Sequence, residues 1–283
     1  MNTFKNKTYI QGITDVHTHT SFSGDSSTPM EEMLSTAKQK GVTVYGISDH
    51  FEHYERGYGK YWTNPEAYFP YARVLQKEYE KEGRMTVLVG AEIGFRSEPK
   101  AVDTLREMIE IYRPDFIVNS VHGISPALKE KDGELPDKYQ TYEWYLNLIL
   151  KSLDAEYDYD IVGHIGFCVR YSEYKDRSMR YETHKETMDK IIRKIIEKDK
   201  ILEVNGKFTP ARFEGDTPMF FVPEKDFLNA YYKAGGRLIS YASDAHSAGG
   251  ILQGREETIK ALKEIGFNYL TVPCQGKRIQ VEI

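Results

Sequence analysis

Short apolar runs alternate with longer segments of helical periodicity along this chain, and the alternation restricts the folds open to it. Several runs are apolar almost throughout, which is typical of strands in a parallel sheet covered by helices on both faces. The predicted strands are residues 13–16, 42–48, 86–91, 115–121, 159–163, 201–205, 237–243 and 269–272. The predicted helices are residues 29–40, 65–82, 98–112, 138–156, 183–199, 223–235 and 255–265. We therefore predict an α/β fold in which helices connect successive strands.

The sequence shows no division into separate domains. Its 283 residues contain no linker, low-complexity tract or charge block, and barrels of this length commonly form one domain. We predict a single barrel domain, residues 1–283, with parallel strands inside and helices outside. The first helix has the start signals of Thr28 as N-cap, Pro29 at the first helical position and Glu31 completing a capping box.

Charge and composition narrow the classes of function. The net charge is -5 and both signs are interspersed, so we expect no nucleic-acid partner. The first residues lack an apolar signal sequence, and no run approaches the roughly 18 apolar residues of a membrane span. We expect a cytoplasmic protein without a membrane partner, and nothing in the composition indicates an oligomeric state. Cys168 and Cys274 have no CxxC partner, so we predict packing roles for both.

Six of the eight histidines follow the carboxyl ends of predicted strands: His17, His19, His50, His122, His164 and His246. A strand sends residues i and i+2 to the same face, so His17 and His19 can direct their imidazoles at one point. In a barrel, the carboxyl ends of all strands meet on the face where such enzymes build their active sites. A lone histidine is more often a hydrogen-bonded core residue. Independent core histidines, however, have no reason to choose the same end of nearly every strand.

Carboxylate residues also follow the carboxyl ends of predicted strands. Glu92 follows the third predicted strand, Asp244 opens the turn after the seventh, and Asp25 lies in the turn after the first. Imidazole and carboxylate ligands without thiolate suit Zn²⁺, Mn²⁺ or Fe²⁺. Nine candidate ligands exceed what one ion can use, and a carboxylate such as Glu92 can bridge two ions. Asp15 and Asp49 are candidates for orienting these ligands, although a plain strand or turn role is an equal alternative.

A cluster of cations is typical of phosphoester hydrolysis. Phosphate monoesters need up to ~10²¹-fold acceleration, whereas a single acid or base supplies only about 10²- to 10⁴-fold. Two metals that share a carboxylate activate water as a nucleophile at neutral pH and also offset phosphate charge. The ligand pattern therefore favours a metal-dependent phosphoesterase.

Six short motifs occur in the order HxH (17–19), SDH (48–50), GAE (90–92), SVH (120–122), GH (163–164) and SDAH (243–246). This set resembles the polymerase and histidinol phosphatase (PHP) superfamily. The resemblance implies a distorted (β/α)₇ TIM-like barrel, two to three divalent transition metal ions, and catalytic roles for Glu92, Asp244 and His246. It implies one ion on His17, His19, Glu92 and Asp244, a second on Glu92, His122 and His164, and a third on Asp25, His50 and His246.

Within the superfamily, the stand-alone length and the segment GHIGFCVR resemble the histidinol-phosphatase branch. This resemblance implies hydrolysis of L-histidinol phosphate to L-histidinol and phosphate in histidine biosynthesis. Arginine forks fit phosphate oxygens, so Arg170 and Arg212 are candidate substrate contacts, with surface positions as the alternative. Asn205, at a strand tip, and His53, in a tyrosine-rich loop, are further candidates. The long loops on this face predict a walled pocket for a small molecule.

Two alternatives to this interpretation stay open. A PHP-type phosphoesterase acting on nucleotides or nucleic-acid ends would share every metal ligand, although the acidic net charge argues against a long polyanion. A metal-binding module without catalysis is the other alternative, and the presence of all nine ligands argues against it. The remaining histidine, His184, lies on a polar helical segment, where we expect it to be solvated.

Overall fold

The computed structural model describes residues 7–54, 57–122, 135–212, 216 and 218–283. Within these ranges the strands are β1 (Lys7–Gln11), β2 (Thr14–Asp15), β3 (Val44–Ile47), β4 (His50–Tyr54), β5 (Gly57–Trp62), β6 (Thr86–Val89), β7 (Ala91–Gly94), β8 (Ile117–Ser120), β9 (Ile161–Val162), β10 (Ile201–Asn205), β11 (Ile239–Ala242), β12 (Tyr269–Cys274) and β13 (Lys277–Glu282). The α-helices are α1 (Met30–Gln39), α2 (Pro65–Glu82), α3 (Pro99–Tyr112), α4 (Lys138–Ser152), α5 (Lys185–Glu197), α6 (Lys225–Lys233) and α7 (Arg255–Ile265).

The strands form three sheets. The largest has the order β11-β10-β9-β8-β7-β4-β5, and its pairs are parallel except for the antiparallel hairpin of β4 and β5. A second, parallel sheet has the order β2-β3-β6. The third, β1-β13-β12, combines one parallel and one antiparallel pair.

The expected α/β architecture is confirmed, but the described strands do not form one closed sheet. The small parallel sheet runs directly into the large one, since β3 is followed by β4 and β6 by β7 after one or two residues. At these junctions Gly90 N donates to Ile47 O (2.7 Å) and Glu92 N donates to Asp49 O (3.0 Å). Backbone hydrogen bonds between neighbouring strands therefore continue across the junction, although the regular parallel pairing is interrupted there.

Helix positions agree well with the sequence pattern because local signals mark their ends. In α2, the Asn64 side chain accepts a hydrogen bond from Glu66 N (3.0 Å), Pro65 takes the first turn, and Gly83 ends the helix in the left-handed conformation (φ 68°). The capping box predicted for α1 is wrong. Pro29 takes the N-cap position with an extended ψ of 147°, so the helix starts at Met30 without a side-chain cap.

The outer helices pack through one apolar face. In α5, buried residues recur at helical spacing while charged residues lie between them, and the buried face consists of Thr187, Met188, Ile191, Ile192 and Ile195. Each such isoleucine contributes roughly 2 kcal/mol of burial free energy. This face belongs to a hydrophobic core that is continuous through the sheets and helices of the described residues. Among those helices, none is long and apolar enough to cross a membrane.

His184 is buried, and the expectation that it is solvated is wrong. It is only 3% exposed because it lies between α4 and the start of α5. Its ring stacks on Tyr139 at 4.9 Å, and its Nδ1 lies 3.0 Å from Glu143 Oε2. Cys168 is likewise buried and Cys274 half-buried, and both are free thiols.

Candidate metal centre

The nine candidate ligands come together at the carboxyl ends of the parallel strands. His17 and His19 follow β2, and Asp25 lies in the loop beyond them. His50 begins β4 and Glu92 lies in β7, where the parallel register sets the two residues opposite each other. The remaining ligands follow β8, β9 and β11, and they are His122, His164, Asp244 and His246.

Glu92 lies at the centre of this cluster and is only 1% exposed. Five imidazole nitrogens surround its two carboxylate oxygens: His50 Nδ1 (2.8 Å), His164 Nε2 (2.9 Å), His122 Nε2 (3.1 Å), His17 Nε2 (3.3 Å) and His19 Nε2 (3.5 Å). Oε2 faces one group of these rings and Oε1 faces the other. The carboxylate is thus placed to serve two neighbouring cations.

Two further carboxylates complete the outer side of the cluster. Asp244 Oδ1 lies 3.4 Å from His19 Nε2 and 3.5 Å from His246 Nδ1. Asp25 Oδ2 lies 3.4 Å from His50 Nε2 and 3.1 Å from His246 Nε2. Within the described residues, four groups have ligand atoms within 4.8 Å of one another: His17/Glu92/His164, His17/His19/Asp244, His50/Glu92/His122 and His19/His50/His246.

Imidazole nitrogens that face each other indicate where cations fit. His17 Nε2 lies 3.1 Å from His19 Nε2, and His122 Nε2 lies 3.2 Å from His164 Nε2. The Nδ1 atoms of His17 and His122 lie against carboxylate oxygens, which hold one ring proton there, so Nε2 is the nitrogen that binds a cation once its own proton has left. A divalent cation satisfies lone pairs that point at a common space, so these residues fit divalent metal binding.

His19 is oriented through a hydroxyl relay. Ser23 Oγ donates to Asp49 Oδ1 (2.6 Å), and its oxygen therefore accepts from His19 Nδ1 (3.2 Å). Asp49 also accepts from the Thr20 amide and hydroxyl, both at 2.7 Å, while burial raises the pKa of Asp49 to about 6. These contacts favour an orienting role for Asp49, because they connect it through Ser23 to the candidate ligand His19.

Asp15 has the other role, because it binds backbone. Its oxygens accept from the amides of Ser243 (2.9 Å) and Leu252 (3.1 Å), which joins β2 to the segment after β11. Burial raises the pKa of Asp15 to about 6. Asp15 thus holds the end of β11 beside the metal centre.

The field of the cluster keeps its central carboxylate ionised. Burial opposes the charge of Glu92, but the imidazoles of His17, His122 and His50 outweigh burial and hold the pKa of Glu92 well below its usual range. Burial likewise opposes the charge of His17, yet Glu203 and Glu92 raise the pKa of His17 well above its usual value. The centre therefore combines basic and acidic side chains that are buried together.

Of the four predicted substrate contacts, Arg170 and Asn205 reach the cluster. Arg170 is buried, with Nη1 3.3 Å from Asp244 Oδ2 and Nη2 2.5 Å from Asn205 Oδ1. Asn205 Nδ2 donates in turn to Glu203 Oε1 (2.8 Å). Arg170 Nε is buried without a hydrogen-bond partner among the described residues. A guanidinium donor left in this state beside a metal centre suits an anionic ligand.

His53 and Arg212 lie apart from the cluster. Strand alternation turns His53 away from the face of His50, and its ring packs edge-on against Trp62 at 6.1 Å. Arg212 is exposed and donates from Nη1 to Ser172 O (3.1 Å). Among the described residues, the Arg212 side chain contacts the segment after β9 and none of the nine candidate ligands.

Three functional candidates escape the sequence interpretation: Glu52, Glu203 and Lys207. Glu203 is a carboxylate within the apolar strand ILEVN, and its Oε2 lies 2.8 Å from His17 Nδ1. Lys207 Nζ lies 3.4 Å from Asp244 Oδ2 and 3.3 Å from His246 Nδ1. A charged residue inside an apolar strand was a usable signal for Glu203, since buried carboxylates need partners. No comparable local signal marks Lys207.

The fold and the site define an α/β protein with a polyhistidine and carboxylate metal centre at the ends of its parallel strands. The model of the PHP domain family matches residues 15–207. The chain belongs to the PHP domain family, and the match contains seven of the nine candidate ligands.

Curated relatives match nearly the whole chain. A probable histidinol-phosphatase of Clostridium acetobutylicum is 26% identical over 236 residues, which is 83% of this chain and 86% of the relative. The histidinol-phosphatase of Lactococcus lactis subsp. lactis is 26% identical over 272 residues, 90% of this chain and 92% of the relative. The crystal structure of histidinol phosphate phosphatase from Lactococcus lactis subsp. lactis, complexed with zinc, L-histidinol and phosphate, has a TM-score of 0.76. At 22% identity it covers 95% of this chain and 99% of that chain, which shows a shared fold.

Proposed function

We propose that this chain is a metal-dependent histidinol-phosphatase, which hydrolyses L-histidinol phosphate to L-histidinol and phosphate. The observation that carries the proposal is Glu92, a buried carboxylate with five imidazole nitrogens around it. Relatives named histidinol-phosphatase match this chain along most of its length and support the choice of substrate. The proposed reaction belongs to histidine biosynthesis.

We propose two to three divalent transition metal ions in the centre. The proposed ligand sets are His17, His19, Glu92 and Asp244; Glu92, His122 and His164; and Asp25, His50 and His246. Support for the first set comes from the closely spaced ligand atoms of His17, His19 and Asp244. Support for sharing comes from Glu92, whose Oε2 faces His17 and His19 while its Oε1 faces His122 and His164. When bound, such ions activate water as a nucleophile and draw charge from the phosphoryl oxygens.

The protein's own groups supply orientation and anion binding. Arg170 is held by Asn205 and Asp244, and its unpaired Nε is the donor that we assign to a phosphate oxygen. Lys207, whose side chain is 31% exposed, adds a second cation beside Asp244. A buried guanidinium and a partly exposed ammonium together favour the dianionic end of the substrate over water.

We propose further that the strands form a distorted (β/α)₇ barrel in a single domain. Support comes from backbone hydrogen bonds between the segments after β2 and β11. Asp244 N donates to His17 O (2.9 Å), and His19 N donates to Ala245 O (2.8 Å). These bonds join the first parallel strand to the last, so the metal ligands of both ends lie side by side.

A phosphatase screen tests the proposed function. Metal-loaded protein is assayed against L-histidinol phosphate, nucleotides, sugar phosphates and single-stranded DNA, with chelator-treated protein as the control. We expect the highest kcat/KM for L-histidinol phosphate and loss of that activity in chelator. A nucleotide preferred tenfold, about 1.4 kcal/mol of transition-state stabilisation, would contradict the substrate. Full activity of chelated, metal-free protein would contradict the metal chemistry.

A further inference from the structure

Glu52 is a buried carboxylate that contacts a metal-ligand candidate without belonging to the ligand set. It lies in β4, two residues after His50, and is 4% exposed. Residues two apart on a strand face the same side, so Glu52 shares the inner face with His50. The parallel register pairs His50 with Glu92, which puts Glu52 beside Gly94, two residues after Glu92.

Gly94 provides the space that Glu52 occupies. A Cβ atom at position 94 would lie 2.6 Å from Glu52 Cγ and 2.8 Å from Glu52 Cδ, closer than real Cβ contacts. Any larger residue at position 94 would therefore displace the Glu52 side chain. The space requirement explains a glycine at the end of the buried strand β7, where it otherwise costs stability.

The Glu52 carboxylate is held between an imidazole and a guanidinium. Its Oε1 lies 2.6 Å from His122 Nδ1, and its Oε2 lies 3.5 Å from Arg96 Nη2. Arg96 is itself fixed, because Nε donates to His53 O and Nη1 donates to Phe95 O, both at 2.9 Å. A carboxylate between two such donors has little freedom to turn away.

The contact determines which nitrogen of His122 is available. With its Nδ1 proton directed at Glu52, His122 presents a lone pair at Nε2, which lies 3.1 Å from Glu92 Oε1 and 3.2 Å from His164 Nε2. The negative charge behind the ring also raises the basicity of the imidazole as a ligand. His17 has the same arrangement with Glu203, which serves a different part of the cluster.

We propose that Glu52 is a positioning residue that fixes His122 for one particular divalent ion, and that Gly94 is present to make room for it. The inference rests on the proposed metal-dependent function. Carboxylates that orient a metal-ligating histidine typically raise metal affinity by 10- to 100-fold. Loss of Glu52 should therefore act selectively. It should weaken binding of the ion on His122 and leave the ions elsewhere in the cluster bound.

Glu52→Gln and Gly94→Ala test the proposal by independent routes. The first removes the charge but keeps the shape, and the second pushes Glu52 aside without changing a polar group. Glu107→Gln, at an exposed position of α3, is the matched control. Each purified variant is dialysed against graded concentrations of a weak chelator, and bound metal per chain is measured by mass spectrometry. The visible spectrum of cobalt-loaded protein reports the coordination geometry independently of activity.

We expect both variants to lose one ion at 10- to 100-fold lower chelator concentration than the wild type, with an altered cobalt spectrum. The control should match the wild type, and melting temperatures of the chelated proteins should remain close. Unchanged metal titration and spectrum in Glu52→Gln would overturn the proposal. Equal loss of every ion, together with a lowered melting temperature, would also overturn it, since that is a purely structural effect. Wild-type protein that binds no metal would instead refute the proposed function.

Discussion

Replacing Glu92 by glutamine tests the bridging arrangement most directly. The change keeps the size of the side chain and removes one charge from a position where the side chain is 1% exposed. In the structure, Oε1 faces His122 and His164, while Oε2 faces His17, His19 and His50, so both halves of the cluster depend on the same group.

The magnitude follows from the charge that is removed. A unit charge about 4 Å from another contributes roughly 4 kcal/mol at an effective dielectric constant of about 20. The amide oxygen of glutamine remains a weak ligand. We therefore expect each ion to lose roughly 2 to 3 kcal/mol of binding free energy, or on the order of 100-fold in affinity, at each of two sites. At moderate chelator strength, Glu92→Gln should therefore lose two ions, and kcat/KM for L-histidinol phosphate should fall at least about 100-fold.

Asp244→Asn is the comparison for Glu92→Gln. Asp244 belongs to one proposed ligand set, whereas Glu92 belongs to two, so the loss of Asp244 should weaken one ion. The assay is metal per chain after dialysis against a weak chelator, followed by single-substrate kinetics at saturating metal. Should the two variants lose the same number of ions, or should Glu92→Gln retain its full complement, the bridging role is wrong.

Three further outcomes are expected. Arg170→Ala should reduce kcat/KM for L-histidinol phosphate by roughly 10- to 100-fold, the worth of a charged hydrogen bond, yet keep its metals, because the guanidinium contacts Asp244 Oδ2 and the imidazoles face Oδ1. Hydrolysis of a chiral phosphate should invert at phosphorus, because water attacks directly; retention, measured by isotope analysis, would indicate a phosphoenzyme. Burial is outweighed at Asp115 by donors from Val89, Gln275 and Arg73, which hold the pKa of Asp115 below its usual 3.8. The Asp115 carboxylate therefore contributes to the free energy of unfolding above that pH, and this contribution is lost as the pH falls through the lower folded-state pKa. Asp115→Asn should lower the free energy of unfolding by about 2 kcal/mol near pH 7 and make it depend less on pH in acid.

Local patterns in the sequence suffice for the helices and for the convergence of the nine candidate ligands. The bounds predicted for α2 and α7 agree with the structure, and the prediction that strand ends converge is a geometric consequence of parallel strands. The hairpin of β4 and β5 falls where a tyrosine-rich loop is predicted. Among the described strands, β5 lies at the edge of its sheet and pairs with β4. Its sequence, GYGKYW, lacks the apolar run by which buried parallel strands are recognised.

The groups behind the ligands are harder to predict because they depend on register between distant segments. Glu203 reaches His17 across 186 positions of sequence, and Glu52 reaches His122 across 70. Neither contact can be predicted until the strand order is known. The position of Arg212 likewise depends on a distant segment, because its guanidinium donates to Ser172 O, 40 positions earlier in the sequence.

Protein groups orient three imidazoles of the centre. His17 is held from β10 by Glu203, His19 by Ser23 in the loop after β2, and His122 from β4 by Glu52. Each contact uses Nδ1 and leaves Nε2 directed inward, so protein groups hold three rings from separate segments. Rings held in this way lose little freedom when an ion binds, and more of the binding free energy remains as affinity. The same rigidity fixes the position of Arg170 relative to the ions, through Asn205, whose amide donates to Glu203. A single carboxylate in β10 therefore connects the alignment of a metal ligand with that of the proposed phosphate contact.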